Sequence, residues 1–189
     1  MKNGAGAYIQ AYNAQAVVDD AHQIITAADL TTNPADALNY TGMLDQSAAN
    51  TGIHPRRALL DAGYCSEANL QAAAERKDEH GTETFMATGR LAHDERVSPA
   101  PRGRIPADAT LRERMARKPR TKPGRAAYAQ RKAIVEPVFG QITTCQDGRR
   151  LLLRGENAAR AQWQLPAACH TLRKIFGHAG TTGLATAQA

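Results

Sequence analysis

Hydrophobic and polar positions change period several times along the chain, and each change marks an element. Partial alternation over Tyr8–Val18 (YIQAYNAQAVV) predicts a strand. Asp19 and Asp20 make a polar turn, and Gln23–Ala28 (QIITAA) reads as the returning strand of a hairpin. Thr32, Asn33 and Pro34 end this pattern. Ala37, Leu38, Met43 and Leu44 then recur near helical spacing and predict a helix within Ala35–Asn50. A short apolar strand over residues 56–61 ends on Asp61, and Gly63 lets the chain turn sharply. Ser66 suits the N-cap of a helix reaching about Lys77, with Glu67 in its first turn. Thr84–Ala87 (TFMA) reads as another short strand.

This β-β-α-β-α-β order sets Asp61 at the carboxyl end of a strand, where α/β sheets commonly hold their chemistry. Taken alone, Asp61 can equally do no more than cap a turn. Proline, glycine and few apolar residues over 88–107 indicate a loop or insertion. Asp108–Lys118 reads as a basic helix stopped by Pro119. From Gly124 to Thr143 the spacing is helical again: Val135, Val138, Phe139 and Ile142 share one apolar face, with Lys132, Glu136 and Thr143 on its flank. Glu136 there fits either a helix packed on a core with a Glu136–Lys132 salt bridge, or a metal or phosphate site. Pro137 complicates both by removing a backbone donor. A last helix runs from Glu156 towards Phe176, with Pro166 expected to kink or divide it, and 177–189 reads as a flexible tail.

Composition narrows the class. The chain has 189 residues, enough for one domain with a sizeable core, here built mainly from Ala, Leu, Ile and Val. No run reaches the length of a membrane span, and the start lacks the apolar stretch of a signal peptide, so a cytoplasmic protein is expected. Cys65, Cys145 and Cys169 lie far apart, which speaks against a structural zinc or a disulfide framework. Gly4 and Gly6 follow no strand and make no dinucleotide loop.

Charge is distributed unevenly along the chain. Residues 1–100 hold 7 Lys/Arg and 13 Asp/Glu, whereas 101–189 hold 17 and 5. Eleven basic residues fall between Arg102 and Lys132 against only Asp108 and Glu113. Such a block attracts a polyanion, with DNA or RNA the usual candidate. A solvated basic linker has the same composition.

Several blocks match one pattern in order: YNAQAVVDDAHQII from Tyr12, LLDAGYCSEANL, ERMARK, GRAAYAQRKAIVEPVFGQI, and LLLRG with Trp163. Together they resemble the C-terminal part of a bacterial insertion-sequence transposase of the DDE class, over nearly the whole chain. The DAGY and YxxRxxxxEPVFG blocks, about seventy residues apart, are its most specific part. The resemblance implies an α/β, ribonuclease-H-like mixed sheet flanked by helices, over 1–176. It implies that Asp61 is the second catalytic acid and Glu136 the third, both holding Mg2+ or Mn2+. It implies DNA contacts from Tyr128 and from Arg131 or Lys132, and the charge of the basic block adds Arg117, Lys118, Arg120, Lys122 and Arg125 as DNA-binding candidates. The partners it implies are DNA, as terminal repeats and target, and further copies of the chain.

Three departures qualify that expectation. No residue matches the first acid, which the family carries on a preceding, central strand; Asp19 and Asp20 sit in the hairpin and do not match. Thr143 stands where the family has a basic residue, commonly lysine. Pro119 and Pro166 interrupt segments that are continuous in the family. The sequence therefore reads as a truncated, inactive and marginally stable part of a transposase. The alternative is a non-catalytic DNA-binding or subunit-interaction remnant, and an unrelated metal-dependent nuclease fits the block order less well.

Overall fold

The alternation near the N-terminus produces the expected hairpin. In the computed structural model, which describes residues 6, 7, 9, 11–89 and 98–186, β1 (Asn13–Val18) pairs antiparallel with β2 (Ile25–Thr31). The register slips between Val17 and Val18, a bulge that strengthens the local twist. Tyr8 lies outside the described residues, as does 90–97 of the expected loop. The chain divides into two compact units. One takes the residues up to Pro34, Ala49–Thr51 and everything from Ala133; the other takes Ala35–Ala48 and Gly52–Lys132.

In the first unit the hairpin is covered by the C-terminal half of α4 (Lys122–Cys145) and by α5 (Glu156–Thr186). Ile25, Leu30, Val138, Ile142, Ala159, Trp163 and Ala167 form its core. The face read on the sequence is the face that packs: Val138 and Ile142 are fully buried, and Phe139 stacks on Trp163 at 5.7 Å. Burying each large side chain is worth about 1.5–3 kcal/mol over exposure. Polar bonds set the orientation. Trp163 Nε1 donates to the Gln15 carbonyl at 3.3 Å, and the Thr171 hydroxyl takes the Ile25 N–H and donates to the Ile25 carbonyl, both at 3.2 Å. Asn50 Nδ2 donates to the Thr26 carbonyl at 2.8 Å, which ties residues 49–51 to this unit.

Two prolines behave differently from the sequence expectation. α5 runs through Pro166 and breaks instead at Gly180, where φ is 62° and ψ is −171°; it also continues past Gly177, where a tail was expected. The buried row Ala159, Trp163, Ala167 and His170 grips the helix on both sides of Pro166, so packing outweighs the one lost backbone bond. α4 likewise runs through Pro137. That proline leaves the Ala133 carbonyl without its helical donor, and the Gln23 side chain replaces it: Nε2 donates to the Ala133 carbonyl at 3.1 Å and to that of Ile134 at 3.4 Å. Gln23 occupies the hairpin turn with φ of 59°, uncommon for a residue other than glycine. His170 Nε2 at 2.9 Å from its carbonyl and Lys174 Nζ donating to its Oε1 at 2.9 Å hold it there.

The second unit is a β-α-β arrangement. β3 (Arg57–Leu60) pairs in parallel with β4 (Glu83–Met86), joined through α2 (Glu67–His80). Ser66 caps α2 as expected, accepting from the Asn69 N–H. α1 (Tyr40–Thr51), α2 and the strands enclose Tyr40, Leu44, Ala58, Leu70, Ala73 and Met86. The Tyr40 hydroxyl bonds to the Thr84 hydroxyl at 2.9 Å inside this core. α3 (Leu111–Arg117) starts at Thr110 with a capping box to Glu113 and gives way to a 3-10 turn, Lys118–Arg120, around Pro119. The expected order of elements is present, and the strands form two two-stranded sheets.

Candidate active site

Asp61 follows β3 directly and opens a tight turn. Its Oδ1 accepts the Gly63 N–H at 2.9 Å, so the residue does cap a turn. Its Oδ2 remains turned to solvent and to Arg131, whose Nη1 is 4.0 Å away. Space is tight at Gly63: a Cβ on it would meet a carboxylate oxygen of Asp36 and sit 3.1 Å from Asp61 Oδ1, so a side chain there would push the two carboxylates aside. Asp36, in the 3-10 turn before α1, therefore faces the same turn as Asp61. Nothing in the sequence singles out Asp36: an acid following Asn33-Pro34-Ala35 carries no signal of its own.

Two tyrosines and one arginine complete this surrounding. The Tyr128 hydroxyl donates to the Leu60 carbonyl at 2.9 Å, fixing the peptide next to Asp61. Arg131 lies over the Tyr128 ring at 5.8 Å, and its Nε is buried without a hydrogen-bond partner. Burial pushes both phenols up. For Tyr64 the Asp36 and Asp61 carboxylates add to burial while Arg131 opposes; for Tyr128 Arg131 again opposes and Asp61 adds. Tyr128 and Arg131 thus meet Asp61 directly.

Glu136 belongs to the other unit. It is exposed on α4, two residues before the buried Val138, and its carboxylate has no hydrogen-bond or ion-pair partner among the described residues. The Glu136–Lys132 bridge is therefore not formed. Among the described residues no group of three or more His, Cys, Asp or Glu could hold a metal ion. Thr143, in place of a base, returns its hydroxyl to the Phe139 carbonyl at 2.8 Å within the helix.

The basic block divides into two sets. Arg114 donates to the Ala109 and Ala107 carbonyls at 2.8 Å, Arg117 to those of Pro101 and Gly103, and Arg120 to those of Ser98 and Pro99. Lys118 is half-buried, donates to the Thr84 carbonyl at 3.0 Å and lies 3.3 Å from Glu83 and over the Phe85 ring; its burial pulls the ammonium pKa down, against the pull of Glu83. These four side chains hold the protein's own backbone. Arg112, also exposed, donates to the Thr88 carbonyl at 3.1 Å, whereas Arg102, Arg104, Lys122, Arg125 and Lys132 are exposed with no such bond among the described residues, and Arg125 and Lys132, seven residues apart, share one face of α4. A cleft of about 450 Å³ opens between Arg57, Glu83, Phe85, Lys118 and Gln130.

The described residues thus make a mixed α/β protein, with Asp61 directly after a parallel strand and Glu136 exposed on a later helix. Residues 1–172 match the family model described as "Transposase DDE domain", and the chain belongs to that family. Comparison with curated proteins and with solved structures gave no match. No helix among the described residues is long and apolar enough to cross a membrane.

Proposed function

We propose that this chain supplies Asp61 and Glu136 as the second and third acids of a ribonuclease-H-like DNA transposase centre. The observation that carries the reading is the state of Asp61: one carboxylate oxygen is locked by the Gly63 N–H, and the other stays half-exposed at a strand end. Both acids offer hard oxygen donors, the kind Mg2+ or Mn2+ takes. They fit such an ion in kind and fall short in number, since two carboxylates lack the third that the family uses. When bound, the metal would stabilise charge on the phosphoryl oxygens and on the attacking and leaving oxygens. Asp61 would hold it from the strand end, and Glu136 would hold it and orient the attacking water or hydroxyl. Arg125 and Lys132 would lie along the DNA backbone.

A ribonuclease-H-like sheet would carry a further strand bearing the first acid. Among the described residues β1 and β3 each pair on one side only, and sheets of two strands depend on added cover for their stability. The chain by itself is accordingly inactive in this reading. The test is Mn2+ binding together with cleavage of terminal-repeat DNA. Weak Mn2+ binding that falls roughly tenfold or more in Asp61→Asn and in Glu136→Gln, with no cleavage by the wild-type chain, is expected. Cleavage abolished by Asp61→Asn would confirm the acid and overturn the inactivity; Mn2+ binding indifferent to both substitutions would overturn the site.

A second reading, a non-catalytic DNA-binding remnant, is favoured by the seven exposed bases of the Arg102–Lys132 block, five of which, Arg102, Arg104, Lys122, Arg125 and Lys132, hold no backbone carbonyl among the described residues. DNA binding that persists unchanged in Asp61→Asn and needs no metal supports it, and an absence of binding at low salt sinks it.

A further inference from the structure

Glu136 has no side-chain partner among the described residues, so the backbone of α4 alone sets where its carboxylate stands. That backbone is interrupted at the next residue. Pro137 brings no N–H, and a proline ring crowds the carbonyl four residues earlier, which leaves a helix free to bend there. A carboxylate that holds a metal has to stand within about 0.5 Å of its working place, and such a turn does not provide this unaided.

The Gln23 amide reaches this turn from the hairpin, with Nε2 shared between the Ala133 and Ile134 carbonyls. Chemistry fixes which way the amide faces. Carbonyls only accept and an ammonium only donates, so Nε2 points to α4 and Oε1 to Lys174 Nζ. The buried His170, four residues before Lys174 and on the same face of α5, meets the Gln23 carbonyl and therefore carries a proton on Nε2. Substitutes lack one part or another. Asn is one methylene shorter, ionised Glu has no donor, Lys has no acceptor, and Met spans the length with neither. We propose that Gln23 is a positioning residue for Glu136: α5 aims its amide, and the amide fixes the turn of α4 from which the acid projects. This role rests on Glu136 being the third acid, and it assigns to the hairpin a part in the site that no carboxylate of the hairpin plays.

Hydrogen exchange of the full chain without metal, and Mn2+ binding to the same variants, test the role in two separate steps. Gln23→Met is expected to speed amide exchange over residues 133–136 about tenfold with helix content unchanged. It is expected to weaken Mn2+ binding severalfold, in the direction of Glu136→Gln. Pro137→Ala returns an N–H to the Ala133 carbonyl, so in that background Gln23→Met is expected to change exchange and Mn2+ affinity by less than about twofold. Should Gln23→Met misfold, Lys174→Met, which releases the amide to turn, is expected to show both changes in weaker form. Exchange that neither variant moves overturns the proposal, and so does an effect of Gln23→Met that persists undiminished beside Pro137→Ala. Mn2+ binding weakened by Glu136→Gln but untouched by Gln23→Met overturns this role alone and leaves the acid in place. Mn2+ binding indifferent to Glu136→Gln overturns the acid reading, and this role with it.

Discussion

Tyr128 joins the backbone beside Asp61 to the helix that carries Arg131, through one hydroxyl on the Leu60 carbonyl. Tyr128→Phe removes that bond, with an expected loss of about 1 kcal/mol of stability at neutral pH, read from denaturant unfolding. The pH dependence follows from the direction of the shift. Burial raises the pKa of Tyr128 above 10.0, as it does for Tyr40 and Tyr64 in the same unit. Above pH 10 the unfolded chain therefore loses phenolic protons that the folded chain keeps, and stability is expected to fall as pH rises through that region. The contribution is intact below pH 10, and Tyr128→Phe should flatten the alkaline fall without abolishing it. Gly63 matters for a different reason: without a Cβ it leaves room for the Asp36 and Asp61 carboxylates beside the same turn.

At the scale of elements, Arg114, Arg117 and Arg120 recur every three residues and seize the carbonyls of Ser98, Pro99, Pro101, Gly103, Ala107 and Ala109. A segment rich in proline has few N–H groups of its own to offer, so its carbonyls need outside donors. Replacing Arg117 and Arg120 with alanine is expected to increase proteolytic cleavage within 98–109 severalfold, with no loss of helix by circular dichroism. Local signals were legible in the sequence: the Ser66 cap, the strand ending on Asp61, the buried face of α4, and the start of α5 at Glu156. What failed to show depends on partners distant in the chain. The bonds of Arg117, Lys118 and Arg120 to backbone carbonyls had no such signal, because nothing in the neighbouring residues tells a cation that bonds backbone carbonyls from one left in solvent. Proline rules marked Pro166 as a break, because the grip of the hairpin on Trp163 and His170 is tertiary. Composition cannot reveal which strands pair, so the two-sheet arrangement was equally hidden.

For the molecule as a whole, charge is the property that reaches furthest. If only Arg102, Arg104, Lys122, Arg125 and Lys132 meet phosphates, the slope of log affinity against log salt on duplex DNA is expected to be about −4.5, at roughly 0.9 per neutralised phosphate. Titration at several salt concentrations measures it, and a slope nearer −8 would mean that the arginines clamped on carbonyls also turn to DNA. Each unit has its own apolar core, so substitutions in one core are expected to add with those in the other.

The bond from Gln23 to Ala133 has a consequence for the order of folding. The helix segment that presents Glu136 carries a proline, and the donor that replaces its missing N–H comes from a residue 110 positions earlier. That turn of α4 completes its backbone bonding only after the hairpin has closed and docked, a non-local step that pays loop entropy before any reward. The glutamate is thus among the later parts of the chain to reach its place, and a slow hairpin delays the acid without touching it.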